Sequence, residues 1–268
     1  MIRNYLLLII VILLYGCSEQ VSSIFSQDID GSAANFEDDT HGTYNSTYRP
    51  LSSENIIIKN AIIFDGNGNK LENTEIHFSD GLIQAIGQEL VAEGAEVIDA
   101  SGKYITPGSI DIHSHMGVYP APSVRTSSDG NEATNPVTAE VWAEHSVWSQ
   151  DPQYKLALAG GVTTFHVLPG SANLFGGRGV TLKNVSSNTV PDMKFPNAPH
   201  SLKMACGENP KRVYSSRGPS TRMGNVAGYR QAWIEAENFK NSLESSPSRR
   251  NLRYETLVGV LDGEILSH

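Results

Sequence analysis

Two histidines one residue apart close a short apolar run, Ile105-Thr106-Pro107-Gly108-Ser109-Ile110-Asp111-Ile112-His113-Ser114-His115. On an extended strand successive side chains alternate faces, so Asp111, His113 and His115 point to one side and Ile110, Ile112 and Ser114 to the other. Same-face neighbours lie about 6.5–7 Å apart at Cα. Two imidazoles reaching forward from there can share one ion at about 2.0–2.1 Å per nitrogen, which makes the pair half of a metal site. With 8 His in 268 residues, roughly one chain in four of this composition carries a His-x-His by chance, so context has to carry the reading. Pro107-Gly108 breaks the chain just before the run, isoleucines alternate with the polar positions, and Gly117 follows Met116. These features place the pair at the end of a strand.

The elements that must position it change character at Pro107. Asn55 to Ile105 reads as β: Ile56–Ile58, Ala61–Phe64, Thr74–Phe78, Leu82–Ile86, Val97–Ile98 and Lys103–Ile105 are short β-branched runs. Asp80-Gly81 between two of them is a two-residue hairpin signal, because both central residues of that turn need positive φ. His77 on one of these strands reads as an ordinary half-exposed histidine. From Pro107 short strands alternate with helices, the pattern of βα units around a parallel sheet. A helix over about 152–159 has Asp151 as N-cap and Gly160 as its stop. It leads into a strand at Val162–Leu168, with further strands at Val180–Lys183, Leu202–Cys206 and Ile265–His268. A long helix with Val226, Tyr229, Trp233, Ala236, Phe239 or Lys240, and Leu243 on one face follows the fourth strand, and a shorter one covers about Leu252–Leu261.

The run Ile105–His115 resembles the metal-binding signature of the amidohydrolase superfamily, in which such a stretch closes a small β-domain and begins a metal-bearing (β/α)8 barrel. Ala159-Gly160-Gly161-Val162-Thr163-Thr164, Leu168-Pro169-Gly170-Ser171-Ala172-Asn173-Leu174-Phe175-Gly176-Gly177-Arg178 and Lys203-Met204-Ala205-Cys206-Gly207-Glu208-Asn209-Pro210-Lys211-Arg212-Val213-Tyr214 are similar to a bacterial, imidazolonepropionase-like branch of it. The resemblance runs from about Asn55 to the end. It implies an α/β chain: a partial (β/α)8 TIM barrel of about five strands over 107–268, preceded by a small composite β-sandwich over 54–106. A complete barrel takes about 250 residues, and Pro107 to His268 supplies 162, so the chain is expected to be the N-terminal part of a longer polypeptide.

The resemblance also implies chemistry. His113 and His115 would bind one or two divalent ions, commonly zinc, and the ion would activate water and polarise a carbonyl. Lys203, on the fourth strand, is a candidate for the lysine that several subtypes carbamylate to bridge two metals, with Glu208 as the competing carboxylate. His268 is either the fifth-strand ligand or falls two residues before it, the strand register being open from the sequence. The sixth-strand histidine and the eighth-strand aspartate that serves as general base fall beyond the sequence. The glycine-rich stretch after the second strand lacks the Gly-Lys-Ser/Thr ending of a phosphate loop. It reads instead as a flexible substrate loop, with Asn173 in it and Arg178 facing a substrate carboxylate through its planar fork. His166 reads as packing or a loop contact, and His145 and His200 carry no usable signal.

The N-terminus points to export. Arg3, the apolar Tyr5–Tyr15 and a small residue before Cys17 form a lipoprotein-like signal over 1–17, too short for a spanning helix. Lipidation of Cys17 would anchor the chain on the periplasmic side of a bacterial membrane, the outer membrane being the expected one. Residues 18–53 are poor in large apolar side chains and carry Asp28, Asp30, Glu37, Asp38 and Asp39, the composition of a flexible linker. With Cys17 so used, Cys206 has no partner for an internal disulfide.

A net charge of −9 argues against a nucleic-acid surface. Self-association stays open. The leading expectation is a metal-dependent hydrolase of a C–N bond other than an ordinary peptide bond, in a cyclic amide, an acylated amine or a dipeptide, acting on a small molecule. The alternatives are a deaminase on the same scaffold and a non-catalytic, ligand-binding surface lipoprotein.

Overall fold

The computed structural model describes residues 44–268; the signal segment, Cys17 and the linker as far as residue 43 lie outside the described residues. A five-stranded sheet comes first. β1 (Ile56–Phe64), β2 (Lys70–Ser79), β3 (Leu82–Gly87), β4 (Glu96–Asp99) and β5 (Tyr104–Ile105) lie in the order β3-β2-β1-β4, with β5 also against β1. β1 is antiparallel to β2 and parallel to β4 and β5. The β2–β3 turn is the one the sequence predicts: Asp80 and Gly81 take φ of 53° and 76°, the left-handed pair that a tight hairpin of this twist requires. Ala61, Ile63, Ile76 and Ala100 form the buried cluster of this sheet. These five strands form a single hydrogen-bonded sheet.

The second half consists of β6 (Ser109–Ser114), α1 (Gln153–Ala159), β7 (Val162–Val167), β8 (Phe175–Arg178), β9 (Val180–Lys183), β10 (His200–Met204), α2 (Glu208–Val213), α3 (Arg222–Ser242), α4 (Leu252–Leu261) and β11 (Ile265–Ser267). Two three-stranded sheets result, β6-β7-β9 and β11-β10-β8. β6 and β7 are parallel, as are β10 and β11, but β9 runs antiparallel to β7 and β8 antiparallel to β10. β8 and β9 are two halves of one stretch separated by Gly179. The expected parallel third strand is therefore an antiparallel one, and no closed barrel forms among the described residues.

The expected substrate loop is also corrected. Its second half is β8, buried at all four positions, and Asn173 before it is 1 % exposed. Asn173 donates through Nδ2 to the Glu132 and Asn135 carbonyls and to Thr138 Oγ1, holding the 130s segment onto the strand. Arg178 Nε donates to Thr256 Oγ1 of α4 at 2.9 Å, and its guanidinium lies 4.3 Å from the Trp142 ring centroid. Through these contacts it fastens α4 to the sheet.

Alternation divides the two faces of these strands. Phe165 and Val167 of β7 pack with Val180 and Leu182 of β9, Tyr154 of α1, Val118, Ala143 and Met193. Phe175, Leu202 and Ile265 pack with Leu174, Ala139, Ala232 and Ala236 of α3 and Leu257 of α4. The opposite face keeps His113, His166, Thr181, Ser201, Lys203 and His268. On the edge strand β6, Ile110 and Ile112 face away from the histidines and are exposed.

The helices follow their local signals. Asp151 Oδ1 accepts from Gln153 N at 3.0 Å at the start of α1, while Pro152 holds the N-cap position given to Asp151 from the sequence. Thr221 caps α3 by accepting from Gly224 N, and Asn251 caps α4 by accepting from Tyr254 N. In α3 the buried stripe is Asn225, Ala232, Ala236 and Phe239, so the expected Val226 is rotated out and exposed. Asn209 and Pro210 lie in α2.

The end of the expected linker is docked. Thr47 N donates to the Pro191 carbonyl at 3.0 Å, Ser46 Oγ to the Lys194 carbonyl at 2.7 Å, and Lys194 Nζ to the Tyr44 carbonyl. Lys194 also pairs with the buried Glu144 at 2.8 Å, so a backbone carbonyl from this segment completes the solvation of a buried cation.

Gly179 is where the antiparallel stretch passes from one sheet to the other. A Cβ there would meet Ser201 Oγ at 2.6 Å, Leu168 Cδ2 at 2.7 Å and His166 Nε2 at 3.1 Å. Gly179→Ala is accordingly expected to lower unfolding free energy by about 1–3 kcal/mol, as overpacking does; a urea midpoint equal to that of the unaltered chain would contradict the tight crossing.

Candidate metal centre

The paired histidines emerge from the end of β6. His115 Nδ1 lies 2.8 Å from the Leu168 carbonyl just beyond β7. A carbonyl only accepts, so Nδ1 carries the proton and Nε2 keeps its lone pair, the arrangement that prepares an imidazole to be a ligand. The two rings stand perpendicular with centroids 5.3 Å apart. The Asp111 carboxylate accepts from His113 N at 3.2 Å and so braces the backbone of the pair.

Lys203 and His268 converge on His113 from the other sheet. Lys203 Nζ lies 3.0 Å from His113 Nε2, and His268 Nε2 lies 3.1 Å from His113 Nδ1. Backbone bonds hold the two contributing strands in step: His268 N donates to the Leu202 carbonyl and Met204 N to the His268 carbonyl, both at 2.9 Å. These neighbours fix the register that the sequence left open. Glu208, the competing carboxylate, is exposed on α2 and faces Arg212 at 3.4 Å. Asn173 and Arg178 make their contacts elsewhere, as described above.

Charge explains what the cluster is suited to hold. Lys203 is 3 % exposed, and no carboxylate is bonded to it among the described residues. Burial lowers its pKa from the usual lysine range. Burial likewise lowers that of His113, followed by Lys203, His268 and His115, with Asp111 pulling weakly the other way. His268 is lowered by burial and then by Lys203. Amine and imidazole groups crowded together, whose charged forms burial and mutual repulsion disfavour, are suited to offer electron pairs to a cation.

As they stand, no group of three or more His, Cys, Asp or Glu side chains among the described residues is arranged around an ion. The donor set nevertheless fits one. Imidazole nitrogens are zinc ligands by chemistry, and Lys203 and His268 stand 3.0 and 3.1 Å from the two different ring nitrogens of His113, so an ion on either nitrogen has one of them beside it. His113, His115 and His268 would supply imidazole nitrogens, and Lys203 a fourth position.

His166 is the residue that sequence reasoning assigned to packing. Its Nδ1 lies 3.0 Å from Thr181 Oγ1 and its Nε2 2.7 Å from Ser201 Oγ, with its ring 5.7 Å from that of His268. Burial first, then His268, His113 and Lys203, lower its pKa to about 4. The signal available in the sequence was its parity: His166 sits on the same face of β7 as Thr164, opposite Phe165 and Val167.

A buried amine without a counter-ion is costly to stability. Lys203→Met, which keeps the length and removes the amine, is expected to raise the unfolding free energy of the metal-free chain by about 0.5–2 kcal/mol. A lowered urea midpoint would show that the amine contributes to folding instead.

No family model matches the chain. The amidohydrolase tasK of Hapsidospora irregularis is 32 % identical over 228 residues, covering 73 % of this chain and 23 % of that protein. The dihydroorotase of Caldanaerobacter subterraneus is 37 % identical over 81 residues, covering 29 % of this chain and 19 % of that one. The chain thus spans less than a quarter of the length of these curated relatives. Among solved structures, the amidohydrolase from Thermotoga maritima superposes with a TM-score of 0.71 at 37 % identity, over 77 % of this chain and 55 % of that one. With the histidine pair at a strand end, the lysine and histidine facing it and these similarities over most of the described residues, the chain belongs to the amidohydrolase superfamily.

Proposed function

We propose that this chain carries the metal-binding half of a hydrolase that opens a C–N bond in a cyclic amide. The observation that carries the proposal is the gathering of Lys203 and His268 around His113, next to His115, with no carboxylate bonded to the amine among the described residues. Superfamily members use divalent metals, commonly zinc. When bound, such an ion supplies Lewis acidity to a carbonyl and a nucleophile from water near neutral pH.

The chain's own residues do the holding and orienting. His113 and His115 present imidazoles from one strand end, with the Leu168 carbonyl fixing the tautomer of His115. Lys203, whose charged form burial disfavours, would in its neutral form attack CO2 through its lone pair; the amine then loses a proton, and a carbamate oxygen replaces the amine as donor. His268 closes the group from β11. A cleft of about 440 Å³ lined by Asn131, Glu132, Trp142, His145, Pro169 and Gly176, among others, shares the Pro169 turn that follows Leu168. It offers a small molecule both polar groups and flat apolar faces.

In architecture we read β6, β7, the β8–β9 stretch, β10 and β11 as a partial (β/α)8 barrel with one reversed strand, and the five-stranded sheet as part of a composite β-domain. The dihydroorotase and an allantoinase among the relatives support the cyclic-amide reading, and an adenine deaminase among them keeps a deaminase as the second reading. For the N-terminus we propose lipidation of Cys17 after export. Cys17→Ser should then release the mature protein into the soluble fraction, and membrane retention of that variant would contradict the anchor.

The metal assignment is tested by elemental analysis of the purified chain. Unaltered chain should carry zinc in near-stoichiometric amount, while His113→Ala and His115→Ala should each lose it, a change of at least ten-fold in bound metal. Retention of stoichiometric zinc by both variants would remove these residues from the site.

A further inference from the structure

We propose that His166 is a positioning residue of the metal centre: by bridging Thr181 on β9 and Ser201 on β10, it sets where the strand bearing Lys203 lies relative to β7. This rests on the metal-centre reading above.

The need for such a bridge arises from the strand arrangement. β7 and β10 do not pair with one another; between them runs the β8–β9 stretch, whose backbone bonds pass from one neighbour to the other at Gly179. At that crossing the backbone tie to β10 is Gly179 N to the Ser201 carbonyl at 3.1 Å. Gly179 has no side chain, and the space a Cβ would take is bordered by the His166 ring and the Ser201 hydroxyl. The imidazole therefore occupies the inner surface of the joint between the two sheets and hydrogen-bonds to both sides of it.

Ser201 and Lys203 are two residues apart on β10 and face the same way. Whatever fixes the Ser201 hydroxyl fixes the approach of the Lys203 amine to His113 as well. A neutral imidazole has one donor and one acceptor, and the two hydroxyls engage both nitrogens, so His166 is placed to support the ligands rather than to join them. Outer partners of this kind typically change metal affinity 10–100-fold when removed.

The test is a Co2+ titration of the full chain followed by visible absorption, with circular dichroism as a check on folding. His166→Phe keeps a ring and loses both hydrogen bonds; it should bind Co2+ 10–100-fold more weakly and shift the ligand-field bands, which report ligand geometry directly. His166→Gln, which retains one donor and one acceptor, should recover most of the affinity and the original bands. Ser201→Ala should resemble His166→Phe, and the double variant should be no weaker than either, because both remove the same bridge. Should His166→Phe fail to fold, Ser201→Ala carries the test. Folded variants with the affinity and spectrum of the unaltered chain would overturn the proposal alone. Failure of the unaltered chain to bind Co2+ would overturn the metal-centre reading and this proposal with it.

Discussion

A lysine amine buried against an imidazole, with no carboxylate bonded to it, is the contact on which the rest of the structure turns. Lys203 Nζ and His113 Nε2 come from two different sheets and stand 3.0 Å apart. Burial disfavours a positive charge on Lys203 there, while His113 meets it from the exposed edge strand. A purely structural interior would place an acid beside the amine or replace it with an apolar side chain. What such a pair favours is a guest with the opposite need, a cation that accepts electron pairs.

The fold can be understood as the means of maintaining that contact. Outward-facing apolar side chains on β7 and β9 are covered by α1, and those on β8, β10 and β11 by α3 and α4. Each sheet thus has its own core. The kinked β8–β9 stretch and the hydrogen-bonded ring of His166 join them on the inner face, while Arg178, buried between Trp142 and Thr256, ties strand to helix on the outer face. Both joints are polar. They specify direction and spacing in a way that apolar packing, which is nondirectional, does not.

Much of this was legible in the sequence because it depends on local physics. The Asp80-Gly81 turn follows from backbone sterics, α4 has the bounds its pattern gives, and the shared face of His113 and His115 follows from strand alternation. What was not legible depends on partners distant in the chain. Periodicity fixes which residues share a face but is indifferent to strand direction, so the reversed β9 and the unforeseen β8 read as a parallel strand and a loop. Arg178 carries a charge that composition assigns to solvent or substrate, and its burial involves partners as distant as Trp142 and Thr256. Residues 44–47 look like linker because the segment they lie in is poor in large apolar side chains; their docking uses backbone groups and a hydroxyl, which no hydropathy pattern registers. Val226 was misplaced because the buried stripe of α3 includes Asn225, whose side chain donates to the carbonyls of Cys206 and Gly207.

The most direct test of the central claim is anomalous diffraction from crystals of the chain grown with zinc, with data collected on both sides of the zinc absorption edge. The account predicts a peak within about 2.0–2.2 Å of nitrogen atoms of His113 and His115, bordered by Lys203 and His268. A zinc peak elsewhere, or Lys203 and His113 still in direct contact with no ion between the strands, would contradict it.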